Sequence, residues 1–451
     1  MVDRKKVKTK KILTLLFILS IILNLTFLGS LTFSSKIRRS FKEVLKIGLY
    51  TFLNIEDPDK PQGKWGRLKN GQLKEKLTIK QKEEIKKLES IGYLSGMKIA
   101  PKYKNVTIYD KKLVYDGYNL LCSGHVSEAL LLDMKGNILH KWRKDIFSVW
   151  SDYKVVSRNH EVWRRIHLFE NGDLLAIFDG IGLIKIDSKS NLLWANPCNA
   201  HHDMFISKDD TIFLLTRKAY VNPKYNKVDP ILEDFITVLD KHGKQIKNIS
   251  ILQCLENSKY ASVLNKRELS GDFMHTNTIE LIEDENLARL PTWKKGDVLI
   301  SILGLDLVCI VDMNKQEVVW ALSNMWKAQH QPLFLNNGNM LIFDNKGRNN
   351  TSAVIEIDPF SQQIFWKYSG TLDNPFYSKT CGSCQPLPNG NILISDTESG
   401  RAFEVTRDKK IVWEFFNPNR AGKKQQLIAA VYELVRLSPD FPLKWLRGKS
   451  H

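Results

Sequence analysis

Histidines are the residues in this sequence best placed to do chemistry. Three short segments, His201-His202-Asp203, Asp272-Phe273-Met274-His275-Thr276-Asn277 and Gln329-His330-Gln331, each precede a tight-turn signal that leads into an apolar strand. His201 and His330 lie the same eight residues ahead of their turns, which begin at Asp209 and Gly338. Near neutral pH an uncharged imidazole can act as nucleophile, acid, base or metal ligand. A single histidine ahead of a strand is explained by capping or by a polar core position. Three at equivalent places in successive repeats point instead to one shared centre. His167 stands five residues before Gly172, inside a strand, and reads as structural, while His125, His140, His160 and His242 have no convergent partners.

The elements that must gather these side chains are repeats. From about residue 105 onward, an apolar strand ending in Asp, a turn and a strand ending near Trp recur. The copies are Leu131-Leu132-Asp133 with Trp142, Lys185-Ile186-Asp187 with Trp194, and Val238-Leu239-Asp240 without Trp. Ile310-Val311-Asp312 with Trp320, Glu356-Ile357-Asp358 with Trp366, and Phe403-Glu404-Val405-Thr406 with Trp413 complete the set. Six copies, mostly about 50 residues apart, suit one four-stranded blade each. A turn such as Asn171-Gly172, Asp209-Asp210, Lys295-Gly296, Asn337-Gly338 or Asn389-Gly390 precedes most copies and joins the first two strands of a blade. The expected class is all-β, a six-bladed β-propeller, in which the first strand of each blade lines a central channel. The first copy lacks that strand. The tail Tyr432 to Asp440 resembles the missing piece, and a helix over Leu427–Leu437 is the rival reading.

Ahead of the repeats the composition changes. Lys5 to Lys11 precede an apolar run from Ile12 to Phe33, about 22 residues, long enough to cross ~30 Å of hydrocarbon as a helix. The lysines should stay on the cytoplasmic side. Residues 1–34 are therefore expected to be a basic stub and single-pass transmembrane anchor, with the rest of the chain on the extracytoplasmic, periplasmic side; a cleaved signal peptide is the competing reading. Residues 35–104 read as a juxtamembrane helical linker. Within them Ser40 to Asn54 has helical apolar spacing, and Thr78-Ile79-Lys80-Gln81 is a capping box opening a charged helix. The propeller is expected over 105–420, and 421–451 as a C-terminal segment with a basic tail. The net charge of +18 attracts anions, but much of the excess sits at the chain ends as solvating lysine. No zinc-finger or RNA-recognition signature accompanies it, so no nucleic-acid partner is expected. Six cysteines include one Cys381-Gly-Ser-Cys384 pair, which suits a local disulfide or two thiols; zinc would need two more ligands.

The histidine segments, together with Asp116-Gly117-Tyr118-Asn119-Leu120, Ser123-Gly124-His125, Phe343-Asp344-Asn345 and the stretch from Leu387-Pro388-Asn389-Gly390-Asn391 to Val405, resemble the arylsulfotransferase family. These are bacterial arylsulfate sulfotransferases that need no nucleotide sulfate donor. The likeness spans roughly residues 90 to 440. It implies a six-bladed propeller and ping-pong transfer of a sulfuryl group from a phenolic sulfate ester to a phenolic acceptor, without cofactor or metal. By position, His330 matches the family's nucleophile, which carries the group as a sulfohistidine. His275 and Asn277 match the H-x-N motif that contacts the sulfuryl and leaving oxygens, and His201 or His202 matches the upstream histidine.

One position departs from the family pattern. Leu303, in Leu299-Ile300-Ser301-Ile302-Leu303-Gly304, stands where the family usually has arginine. Arg164, Arg165 or Arg348 could compensate for the lost cation. A propeller that binds ligand without turnover is the alternative reading, and a metal site built from His201 or His202, His275 and His330 is a third.

Overall fold

The computed structural model describes residues 77–91, 98–153, 161–266, 269–289, 291–347 and 351–448. The expected anchor and the helix at Ser40 to Asn54 lie outside these residues. Among the described residues no helix is long and apolar enough to cross a membrane. Helix α1 (Ile79–Glu89) begins at the expected capping box. The Thr78 hydroxyl accepts from the Gln81 N–H at 3.1 Å, and the Gln81 side chain accepts from the Thr78 N–H at 2.9 Å. The helix is tied to the sheets. Gln81 Nε2 donates to the Lys227 and Val228 carbonyls at 3.2 Å, and Arg217 donates to the carbonyls of Glu89 and Ile91.

The remainder is built on β-sheets, as the repeats require, with a short helix at Ile251–Glu256. Six antiparallel sheets of four or five strands follow one another along the chain. Each sheet has one edge strand that carries a histidine segment or its counterpart in the repeat. These are β1 (Trp163–Leu168), β2 (Ala200–Ile206), β3 (Thr276–Leu281), β4 (His330–Phe334), β5 (Ser383–Pro386) and β6 (Val431–Leu437). In the first five sheets the next three strands in sequence pair outward in order. The sheet of β5 gains a fifth strand, Asn105–Tyr109, on Ile411–Phe416. β6 is the tail segment. It pairs antiparallel with Tyr118–Ser123, so the sheet of the first repeat is built from both ends of the described chain. The helix considered for Leu427–Leu437 does not form there.

The strands are apolar on both faces because each sheet is covered on both faces. Alternate residues of Leu174–Phe178 illustrate this. Leu174, Ala176 and Phe178 pack with Leu120, Leu131 and Trp142 of the β6 sheet, whereas Leu175 and Ile177 pack with Ile212 and Leu214 of the β2 sheet. Equivalent clusters join the sheets of β2 and β3, β3 and β4, β4 and β5, and β5 and β6.

The recurring Asp and Trp have separate jobs. Asp133, Asp187 and Asp240 each accept two turn N–H groups through one carboxylate oxygen at 2.8–2.9 Å, which closes the outer hairpin. Trp142, Trp366 and Trp413 reach across to the following sheet. Their indole N–H groups donate to the carbonyls of Gly172, Arg407 and Met134 at 3.0, 2.8 and 3.0 Å. The inner turn glycines, such as Gly172 at φ +87° and Gly338 at φ +84°, take the left-handed conformation those turns need.

Candidate active site

All six edge strands, or the residues just ahead of them, meet at one small cavity. It is lined by Arg164 and Arg165 on β1, His202 on β2, Asn277 and Thr278 on β3, His330 and Gln331 on β4, Gly382 ahead of β5, and Tyr432 on β6. Its volume is about 10 Å³, room for about one water molecule. The site is therefore a tight polar junction.

A shared backbone device aims the side chains. Strand register slips between Ala200 and Met204, between Thr276 and Thr278, and between His330 and Leu333. Each slip is a bulge that rotates a side chain out of the regular alternation. His202, His275 and Gln331 have φ of +52°, +52° and +48°, a conformation that costs a non-glycine residue of order 1–3 kcal/mol. Buried hydrogen bonds hold the strain in place. Asp179 accepts from the His202 N–H at 3.3 Å, Asp234 from the Thr276 N–H at 2.7 Å, and the Thr278 hydroxyl from the Gln331 N–H at 2.9 Å.

His330 is fixed in one tautomer. Its Nδ1 lies 2.7 Å from Asn345 Oδ1 and 3.1 Å from the Ala328 carbonyl, both acceptors. The Asn345 amide cannot turn over without loss, because its Nδ2 donates to the carbonyls of Ser378 and Cys381. Nδ1 therefore carries the proton, and the lone pair of the ring resides on Nε2. Burial pushes the pKa of His330 down to about 3, outweighing the Asn345 hydrogen bond that raises it. The ring is neutral at pH 7.

The sequence left His201 and His202 undistinguished, and the structure separates them. His202 lines the cavity, while His201 lies fully buried behind it. Their Nδ1 atoms are 2.9 Å apart, so one donates to the other and their tautomers are linked. His201 Nε2 is 3.4 Å from Asp234 Oδ1. Burial lowers His201 to about 3 and holds His202 well below the usual range, and it raises Asp234 to about 7 with help from neighbouring Asp272. His275 packs edge-on against His202, ring centroids 4.9 Å apart, and its Nδ1 is 2.7 Å from Asp272 Oδ2. Asn277 Nδ2 spends one N–H on the Gln329 carbonyl at 2.8 Å, which leaves its second. All five histidine and asparagine positions singled out in the sequence thus sit in or directly beside one cavity.

The two arginines play different parts. Arg165 donates to Asp203 at 2.7 Å, Glu433 at 2.9 Å and Gln331 at 2.7 Å. Through Asp203, which also accepts from the Ile279 N–H at 3.1 Å, it ties β1, β2, β3, β4 and β6 together. Arg164 lies over the Tyr432 ring, 5.4 Å from its centroid. Leu303 falls in a short turn after Val298–Ile302 and does not line the cavity; Arg348 lies outside the described residues. His125 and His140 have local roles, the first beside Glu128 and the second against Trp142 and Trp445. No group of three or more His, Cys, Asp or Glu side chains among the described residues is arranged to hold a metal ion, and no disulfide joins Cys381 to Cys384. Sequence reasoning missed the roles of Asn345, Asp234 and Tyr432. Only Asn345 left a signal, in the Phe343-Asp344-Asn345 segment.

Among solved structures, similar chains include a protein of unknown function from Bacteroides caccae, 12% identical, covering 70% of this chain and 99% of that one with a TM-score of 0.46. The Dos1 propeller is 12% identical over 72% of this chain and 77% of its own, TM-score 0.38. A streptogramin B lyase is 12% identical over 74% and 97%, TM-score 0.39. No curated protein matches the chain in sequence. The family model described as arylsulfotransferase (ASST) matches residues 165–418, from Arg165 on β1 through the last strand of the β5 sheet. The chain belongs to the arylsulfotransferase family.

Proposed function

We propose that the six sheets are the blades of a closed six-bladed propeller, and that the cavity moves a sulfuryl group from an aryl sulfate to a phenol through a sulfohistidine at His330. Closure is supported by the apolar cluster between the β5 and β6 sheets and the one between the β6 and β1 sheets. The observation that carries the chemistry is the contact between His330 and Asn345. It leaves a neutral ring whose one lone pair is on Nε2.

In the first half-reaction Nε2 attacks sulfur. The N–S bond forms as the ester S–O bond breaks, and the electron pair leaves on the phenolate oxygen. His275, entering the step as an imidazolium held by Asp272, gives that oxygen its proton and is left neutral. In the second half, an acceptor phenol returns a proton to His275, its oxygen attacks sulfur, and the N–S pair returns to Nε2. The cycle balances between donor, His330 and acceptor. Charge gathering on the sulfuryl oxygens is met by fixed donors, the second N–H of Asn277 and the hydroxyl of Tyr432. Burial raises the Tyr432 hydroxyl above its ordinary range, so it stays an O–H donor.

The test is release of coloured nitrophenol from p-nitrophenyl sulfate in the presence of a phenol. We expect burst kinetics, transfer to the phenol, and a sulfonated peptide containing His330 by mass spectrometry after donor alone. H330A should abolish all three. Ligand binding without turnover across a panel of aryl sulfates would favour the binding-only propeller instead. The apolar run Ile12 to Phe33 is proposed as a single-pass tether with the sheets outside the cytoplasm; carbonate extraction of membranes should leave the protein in the pellet.

A further inference from the structure

The two ring nitrogens of His202 have different neighbours. Nδ1 lies 2.9 Å from His201 Nδ1, so Nε2 is the nitrogen turned toward the cavity. Burial keeps both rings uncharged, and a neutral ring carries one proton. The short Nδ1 contact then allows two arrangements. In the first, His202 donates from Nδ1 and shows a lone pair to the cavity, and His201 has its proton on Nε2. In the second, His201 donates from Nδ1 and keeps a lone pair on Nε2, and His202 shows an N–H to the cavity.

The choice is made at the far end of the pair. Asp234 is fully buried. Its Oδ2 accepts from the Thr276 N–H at 2.7 Å, and its Oδ1 lies 3.4 Å from His201 Nε2. A carboxylate at that distance attracts an N–H and repels a lone pair, with little screening in the interior. It therefore selects the first arrangement. A neutral group that offers a proton at the same place selects the second. Burial, reinforced by Asp272, raises Asp234 to about 7, while the Thr276 hydrogen bonds and His275 pull the other way, so both states occur near neutral pH. Arg217, paired with Asp234 across the sheet, faces His201 together with Asp179, Asp272 and His275. His202 faces His275, Arg164 and His330.

We propose that Asp234 is a positioning residue which, through His201, decides whether His202 meets the cavity with a proton or with a lone pair. A neutral Asp234 arms His202 as a donor to sulfuryl oxygens; an ionised one turns a lone pair on them. That consequence rests on the sulfuryl-transfer reading of the cavity, whereas the tautomers themselves do not.

Nitrogen-15 spectra of the full chain, labelled only at histidine, read the tautomers directly, with the two rings assigned from H201Q and H202Q. In D234N the amide oxygen stays on the Thr276 N–H, so the amide NH2 faces His201 Nε2. At about pH 8, above the value of about 7 for Asp234, the wild type should carry the His202 proton on Nδ1 and D234N should carry it on Nε2. The same His202 tautomer in both overturns the proposal. The wild type alone gives a second reading should D234N fail to fold. As Asp234 takes up its proton below neutral pH, the protons on His201 and His202 should move together, and a His202 tautomer that stays fixed overturns the proposal. The third measurement is equilibrium binding of p-nitrophenyl sulfate in an H330A background, where no turnover intervenes. D234N should tighten it by about 10-fold at alkaline pH, the worth of one hydrogen bond to a charged oxygen. The gain should vanish when H201Q is added, because a mere loss of negative charge would persist there. A gain that persists overturns the route through His201, and an unchanged affinity overturns the donor role of His202. Failure of sulfuryl transfer is read separately, because neither the spectra nor the binding needs a reaction.

Discussion

In the proposed reaction His330 is readied as a nucleophile in two independent ways, burial and tautomer, and each has its own consequence. Burial lowers its folded pKa to about 3, below the ordinary value near 6.5 in the unfolded chain. Between those values the unfolded state binds a proton that the folded state refuses. Stability from this residue is therefore complete above about pH 6.5 and is lost as pH falls toward 3. H330Q removes the titrating group, so urea midpoints of the variant should depend less steeply on pH between about 6 and 4, by up to about 1.4 kcal/mol per pH unit. The tautomer depends on Asn345. N345A leaves Nδ1 without its amide acceptor and frees the ring to turn. The kcat should fall by about 10- to 100-fold, with a smaller change in KM, measured with p-nitrophenyl sulfate. An N345A enzyme with undiminished kcat would remove the basis for assigning attack to Nε2.

At the scale of the element, the inner strands are bent where they meet the cavity and regular where they carry the core. Gly382, at φ +133°, lies so close to the Phe343 ring that a Cβ would sit 2.4 Å from its Cζ. G382A should destabilise by about 2 kcal/mol or more, since both backbone and neighbour resist it; a chemical-denaturation midpoint reads the loss. The outer strands are pinned by their tryptophans. W142F removes the indole N–H that the buried Gly172 carbonyl accepts, and it leaves space in a fully buried position. The expected cost is about 1–3 kcal/mol, with kcat unchanged because the contact is remote from the cavity. The recurring Asp and Trp that made the repeats legible are thus turn and docking residues. Their spacing announced the sheets, and their chemistry never entered the site.

For the whole molecule, the decisive feature is that β6 comes from the far end of the described chain. It brings Tyr432 to the cavity and Glu433 to Arg165. It also covers the edge of Tyr118–Ser123, which would otherwise present unpaired backbone groups. E433A breaks a buried ion pair and strands Glu433's two partners, Arg165 and the Ile166 N–H. A loss of about 3–5 kcal/mol is expected, read as a lowered thermal midpoint. Removing residues 431–451 should go further, giving a chain that elutes as aggregate on size exclusion and no longer binds aryl sulfate. A soluble monomeric truncation with intact binding would show that β6 is dispensable.

The sequence by itself determined the all-β class, the repeats and the turns between first and second strands, and it singled out His330, His275, Asn277 and the His201-His202 pair, which the fold brings to one cavity. These are local or periodic features, written in the spacing of apolar residues, Asn-Gly turns and histidines at matching offsets. Only the tertiary structure decided which of His201 and His202 faces the cavity. Adjacent residues at a bulge can point either way, and the backbone at φ +52° selects His202. Tertiary structure also made Asn345 the keeper of the His330 tautomer, set Asp234 behind His201, and divided Arg165, a tie between strands, from Arg164, which lies over the Tyr432 ring. Those assignments rest on contacts between residues far apart in the chain, such as the 268 positions between Arg165 and Glu433. No local pattern encodes such contacts; they exist only once the sheets have packed.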